Sequence, residues 1–234
     1  MTRRRWIADE VSGNRAAITG DHARHLAQVL RAQVGQEFDI STGSEVRRGK
    51  VTAIRPDRVE FELSEAVAQS KQTEITVAIS ILKFDRMEWA IEKCVELGVA
   101  RIIPVIAGRT EKHLAAAATR RVERWRRIVQ QSSEQSRRSS VPEIAEPMKI
   151  KDLFALATDT KIILSEVEHE LMLKQTIPPG ANFLLLAFGP EGGWTEQELS
   201  SFSEAGWKSA SLGNTILRAE TAVIAAVAIA ASVL

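Results

Sequence analysis

The chain has 234 residues, 44% of them hydrophobic, and 31 Lys or Arg against 30 Asp or Glu leave a net charge of +1. That length allows one large domain or one medium and one small, and the balanced charge excludes a polycation that holds nucleic acid by bulk attraction alone. A single cysteine, Cys94, excludes an internal disulfide and a cysteine-rich zinc site, and the N-terminal MTRRRWIADE lacks the apolar core of a secretory signal.

Residues 1 to about 70 read as β-rich. Three alternating runs, Gln36–Thr42, Glu45–Ile54 and Arg58–Ser64, are separated by the turn sequences TGS (42–44) and RPD (55–57), a pattern of small barrels and sandwiches. A helix precedes them, with Asp21 as its predicted N-cap and His22, Leu26, Val29 and Leu30 on one face. The polar segment AVAQSKQTE (66–74) is the predicted domain boundary. Strands and helices then alternate. Strands are predicted at 75–82, 101–106, 161–165 and 182–188. Helices are predicted at 85–98 with an Asp85/Glu88 capping box, at 119–136, from Thr195 with Glu198 to Gly206, and from Ala219 to the end. Such alternation predicts a mostly parallel α/β sheet. The most apolar run, Ala222–Leu234, has 13 residues, short of the ~20 that span a bilayer. A soluble cytoplasmic protein is the expectation.

Four features carry chemistry. GPEGG (189–193) follows an apolar strand and precedes a helix, where the carboxyl edge of an α/β sheet holds ligands. It is neither a Walker loop nor G-x-G-x-x-G, and Glu191 would repel a phosphate; a cationic or hydroxyl-rich ligand suits it better, with a plain β–α turn as the competing reading. LGNTILRAETA (212–222) sets Arg218 and Glu220 at the mouth of an apolar helix, where Glu220 also suits the positive end of the helix dipole. From Arg109 to Arg138 there are nine Lys or Arg against three Glu. Arg favours bidentate phosphate contacts, so this basic helix points to nucleic acid or to a solvated face. The arm RRRW (3–6) adds basic charge beside Arg24 and Arg31. The four histidines have no ligand spacing and no metal is expected; Cys94 is expected to pack on its helix.

Together these residues resemble the bacterial 16S ribosomal RNA uracil-N3 methyltransferases, in the SPOUT class. RHLAQVLRAQVGQEF (24–38), KFDRMEWAIEKCVELGVARIIPV (83–105), EQSRRSSVPEI (134–144), GPEGGWTEQE and LGNTILRAETA are similar to five family segments in the family's order. Three positions depart. Arg137 stands where Gly is usual, Thr215 where Arg is frequent and Phe84 where a small residue is common; the first and third point to a changed RNA contact.

The resemblance implies a PUA-like β-barrel RNA-binding domain over residues 1–70 and a SPOUT α/β domain over 73–234 with a C-terminal trefoil knot. It implies S-adenosylmethionine as methyl donor, 16S rRNA of the small ribosomal subunit as substrate, a homodimer and no membrane. On that footing Leu186, Gly189, Gly192, Leu212, Ile216 and Leu217 are expected to grip adenine and ribose through backbone groups. Gly193 and Gly213 allow close approach. Glu191 serves the cofactor's polar groups or the loop's geometry. Arg218 binds a phosphate or stabilises the uracil anion, and Glu220 or Glu191 takes the N3 proton. Arg5, Arg24, Arg31, Arg109 and Arg138 are the expected RNA contacts. The rival readings are a non-catalytic RNA-binding assembly factor and a methyltransferase of another RNA.

Overall fold

The computed structural model describes residues 5–43, 45–67, 74–136, 138 and 140–234, and the chain divides into two units. The first takes in residues 1–71 and 137–140, the second 72–136 and 141–234. Arg137, Ser44 of the TGS turn, Arg3 and Arg4 of the basic arm, and residues 68–73 of the predicted boundary lie outside the described residues.

In the first unit six strands form one mixed sheet: β1 (Arg5–Ile7), β2 (Glu10–Ser12), β3 (Arg15–Thr19), β4 (Glu37–Ser41), β5 (Val46–Arg55) and β6 (Arg58–Ala66). Their order is β1-β4-β5-β6-β3-β2, antiparallel throughout except for the parallel β1–β4 pair. The two outermost strands are consecutive in the chain. Only Ala8 and Asp9 separate them, with the Ala8 amide bonded to the Ser41 carbonyl of β4 and the Asp9 amide to the Ala17 carbonyl of β3. The sheet therefore curls until its opposite edges meet, which removes exposed strand edges. Ile18, Leu26, Ile40, Val51, Val59, Phe61 and Leu63 fill the inside.

The predicted first helix is shorter and differently wound. Helix α1 (Gly20–Arg24) starts after Thr19, not Asp21, and runs into a π-helical turn, His25–Val29. The wider turn breaks the 3.6-residue stripe, so Leu26 is buried while Val29 is exposed. Gly49 sits where β5 slips register against β6. An added Cβ there would lie 2.4 Å from Cγ1 of buried Ile40. Gly49→Ala is expected to destabilise this unit by about 1–3 kcal/mol, the usual cost of overpacking, measured as a lower urea midpoint; an unchanged midpoint would refute the close approach.

The second unit is a parallel sheet with helices on both faces. Its strands are β7 (Glu74–Ser80), β8 (Arg101–Ile106), β9 (Glu143–Ile144), β10 (Met148–Lys149), β11 (Thr160–Leu164), β12 (Phe183–Phe188) and β13 (Lys208–Ala210). The order is β10-β8-β7-β12-β11-β13, with β9 also on β8, and every pairing is parallel. Helices are α2 (Phe84–Glu96), α3 (Lys112–Gln135), α4 (Ile150–Leu153), α5 (Leu173–Thr176), α6 (Glu196–Glu204) and α7 (Ala219–Val233). Along β12 the side chains alternate between cores. Leu184, Leu186 and Phe188 meet the α2, α3 and α7 side, and Leu185 and Ala187 meet the aromatic core of Trp194, Phe202 and Trp207.

Two helix predictions in this unit need correction or extension. Helix α2 begins at Phe84 with Lys83 as N-cap and no side-chain cap bond, so Asp85 and Glu88 form no capping box. Glu88 is committed elsewhere: Arg124 donates to both its oxygens at 2.6 and 2.7 Å. Helix α3 starts at Lys112, seven residues before the predicted start, because the intervening Leu-Ala run is strongly helix-forming. The Thr195/Glu198 capping box is present on α6 as expected. Cys94 is fully buried on α2, and burial pushes its thiol up to about 12. Thiol reagents at neutral pH should label the unfolded protein and leave the native one unreacted; rapid labelling of native protein would contradict this burial. No helix among the described residues is long and apolar enough to cross a membrane.

Candidate active site

A cavity of about 590 Å³ opens at the carboxyl ends of β11, β12 and β13. That size falls within the range of cofactor sites. Its walls come from the segments after those strands, residues 165–169, 189–194 and 211–218, with Arg86 from the first turn of α2. The parallel sheet explains the convergence: each strand ends at the same edge, so three chain-distant loops meet there.

The glycine loop is built to hold one shape. Trp194 donates from Nε1 to the Leu164 carbonyl at 3.0 Å, fixing the loop's end to the neighbouring strand. A Cβ on Gly189 would press on the Trp194 ring at 3.3 Å. Gly193 has φ +69°, its amide donates to the Pro190 carbonyl at 2.8 Å, and a Cβ there would lie 2.8 Å from Oε1 of Glu166. Only glycine combines that φ with that neighbour. Glu198 caps α6 through Thr195 and also accepts the Gly108 amide at 2.6 Å, so the β8–α3 loop is docked on the same structure.

Of the residues expected at a cofactor site, Gly189, Glu191, Gly193, Leu212, Gly213, Ile216 and Leu217 line the cavity. Leu186 and Gly192 are not among the lining residues described. Leu186 is buried in mid-strand, and the Gly192 carbonyl accepts from Arg109 Nη1 at 2.7 Å. Arg218 lines the cavity, and its side chain makes no ion pair among the described residues. Glu191 lines it too, accepting the Lys83 amide at 3.1 Å and facing Arg86 at 3.7 Å through the same oxygen. Glu220 is placed differently. It is 6% exposed, stands outside the described lining, and faces Arg86 Nε at 3.7 Å, while its Oε2 has no hydrogen-bond partner among the described residues.

Arg86, Glu166 and His169 also line the cavity and were not singled out from sequence. Arg86 lies inside the quoted segment 83–105, and its spacing from Lys83 by one helical turn was the available signal. Glu166 and His169 sit in a loop with no motif.

The expected RNA contacts are divided between the two units. Arg5, Arg24, Arg31 and Arg138 fall in the first unit and Arg109 in the second. Trp6 of β1 packs against the rings of His22 and His25, so Arg5 and α1 lie on neighbouring elements. Arg24 pairs with Asp21 on its own helix. Arg31 is exposed and has φ 49°, a left-handed conformation rare for a side-chain-bearing residue. Burial pushes the Arg138 guanidinium below its ordinary range. The basic helix is less free than its composition: Arg124 binds Glu88, Arg126 binds Glu123 and Glu146, and Arg121 lies 4.4 Å over the Phe84 ring. Arg120 and Arg127 remain without a carboxylate partner among the described residues.

Comparison with known proteins agrees with this architecture. A family model described as RNA methyltransferase domain matches residues 68–231, and one described as RNA methyltransferase PUA domain matches 18–64. The ribosomal RNA small subunit methyltransferase E of Bacillus subtilis is 30% identical over 88% of this chain and 85% of its own. The protein of that name from Synechocystis is 31% identical over 90% of this chain and 71% of its own. The crystal structure of ribosomal RNA small subunit methyltransferase E from Neisseria gonorrhoeae, bound to S-adenosyl methionine, superposes with a TM-score of 0.74. It is 31% identical, over 97% of this chain and 96% of that one. The chain belongs to the RNA methyltransferase family whose members include these small-subunit ribosomal RNA enzymes.

Proposed function

We propose that this protein transfers a methyl group from S-adenosylmethionine to N3 of a uridine in 16S rRNA. The observation that carries the proposal is the cavity at the carboxyl ends of β11, β12 and β13. Two glycine-bearing loops wall it, and it lies in a chain 31% identical to a structure bound to that cofactor. The residues present suit such a group. Carboxylates Glu166 and Glu191 stand in the wall, Gly193 and Gly213 let backbone approach, and no Gly-Lys-Ser/Thr phosphate loop is present in the sequence.

The cofactor supplies a methyl group already activated on a sulfonium, so the protein's task is to position two reactants and to remove the N3 proton. The uracil must leave its stack to enter. Backbone groups of Gly189, Leu212, Ile216 and Leu217 hold the cofactor at the cavity wall. Glu191, rather than Glu220, is assigned the proton, because Glu191 lines the cavity while Glu220 is buried outside its lining. Arg218 stabilises the uracil anion as the proton leaves.

The domain over residues 1–70 serves as a PUA-like RNA-binding module and 73–234 as the SPOUT catalytic domain, acting in the cytoplasm. The trefoil knot is part of this reading through the family resemblance of the two C-terminal segments, GPEGGWTEQE and LGNTILRAETA. The chain leaves β13 at one sheet edge, its residue Ser211 bridges Met172, and α7 then packs on α2, β7 and β12 in the interior of the order. A homodimer is supported by apolar side chains left open around the cavity, with Ile216 84% exposed and Val167, Leu171 and Met172 also exposed.

Calorimetric titration with S-adenosylmethionine should give a saturable heat; a folded protein that gives none would end the enzyme reading. Mass spectrometry of 16S rRNA nucleosides from a deletion strain should show 3-methyluridine lost, and its persistence would overturn the substrate.

A further inference from the structure

Three segments far apart in sequence meet at one side chain. Arg86 rises from the first turn of α2, Glu191 sits in the glycine loop after β12, and Glu220 opens α7. Arg86 Nη1 lies 3.7 Å from Glu191 Oε1, and its Nε lies 3.7 Å from Glu220 Oε1. The Glu191 oxygen that faces Arg86 also accepts the Lys83 amide, at the N-cap of the same helix. We propose that Arg86 is a positioning residue that clasps both loops of the site on two nitrogens of one guanidinium, setting the cavity wall before any ligand enters. The inference deepens the cofactor-site reading and takes its functional meaning from it, while the clasp itself requires no ligand.

Three physical points support it. A carboxylate as buried as Glu220 needs a counter-charge, and Arg86 is its ion-pair partner here. A guanidinium presents a rigid planar fork that can face two carboxylates at once, which a single ammonium on a flexible stem cannot reproduce. The group of Arg86, Glu191 and Glu220 carries one net negative charge, and Arg86 and Glu191 reach the cavity surface. The clasp thus ties two ligand loops together and leaves a wall that favours a cation.

Hydrogen exchange on the ligand-free protein tests it directly. Arg86→Lys keeps the charge and removes the fork. The amides of Lys83 and Gly193 should exchange roughly ten-fold faster in it, while amides in mid-β12 stay protected. Arg86→Met leaves Glu220 buried and unpaired and should lower the melting temperature. Adding Glu220→Gln should recover the melting temperature without restoring Lys83 protection. Titration with S-adenosylmethionine should show roughly ten-fold weaker binding by Arg86→Lys. Unchanged exchange at Lys83 and Gly193 in Arg86→Lys overturns the clasp, as does wild-type protection in the double variant. If the wild-type protein binds no S-adenosylmethionine while exchange still responds, the cofactor reading fails and the clasp stands.

Discussion

Replacing Arg218 by alanine should lower methyl transfer by roughly 10²–10³-fold, the usual loss when one preorganised donor to a developing anion is removed. Affinity for S-adenosylmethionine should stay within about two-fold, since the lost group would act on the uracil and not on the cofactor. The contrast with Arg86 carries this expectation. Both guanidiniums reach the cavity, yet Arg86 faces Glu191 and Glu220, while Arg218 has no ion-pair partner among the described residues. A cation held by two carboxylates has little field left for a substrate; an unpaired one at the cavity wall has most of its own. Arg218 is also well placed by its backbone. It is the N-cap of α7 in an extended conformation, and its carbonyl receives the first helical bond from Ala222. The backbone needs no arginine for this, so the alanine variant should keep its fold. The form of the loss separates the two roles. A fall in kcat at constant KM marks stabilisation of the anion, and a rise in KM for RNA marks a phosphate contact. Turnover equal to wild type would remove Arg218 from the chemistry.

Much of this site was legible because its two loops are written as local signals. An apolar run, glycines and a Thr195/Glu198 capping box announce strand, loop and helix at the first. The LGNTILRAETA segment announces the second as a join from a short strand to a helix, and the three-residue strand β13 stands just ahead of it. What was not legible is convergence. Arg86, Glu166 and His169 reach the cavity from separate loops, and their meeting depends on the strand order β7-β12-β11-β13, which periodicity does not encode. The same limit explains the false capping box on α2. Asp85 and Glu88 have the right spacing, but Glu88 is drawn across to Arg124 on the neighbouring helix. Composition misled in a related way on α3, where the arginine excess is real while carboxylates from other segments, Glu88 and Glu146, offset part of it. In the first unit the π-helical turn after α1 shifts Val29 off the buried face, and no sequence feature at His25–Val29 marks that extra width.

The stability of the catalytic unit should depend most on Trp125. Its side chain is fully buried at the centre of the core under α2 and α3, with its ring 6.3 Å from Phe84 in an edge-on arrangement. Trp125→Ala should cost about 3–5 kcal/mol, the range for emptying a large aromatic site, which is a large part of the 5–15 kcal/mol that a domain of this kind holds in total. Trp125→Phe should cost much less. It retains most of the apolar volume and deletes an indole N–H that has no hydrogen-bond partner among the described residues. Equal losses for the two variants, in denaturant melts, would show that volume is not what Trp125 contributes. The damage should also reach the site by a traceable path. Phe84 is the first residue of α2, directly after the Lys83 amide that holds Glu191 and two residues before Arg86. A cavity beside Phe84 loosens the start of that helix, so S-adenosylmethionine affinity should fall in Trp125→Ala even where the protein remains folded, and should survive in Trp125→Phe. The apolar core and the charged clasp are then two ends of one support, in which packing under α2 fixes where its first turn can hold the two loops.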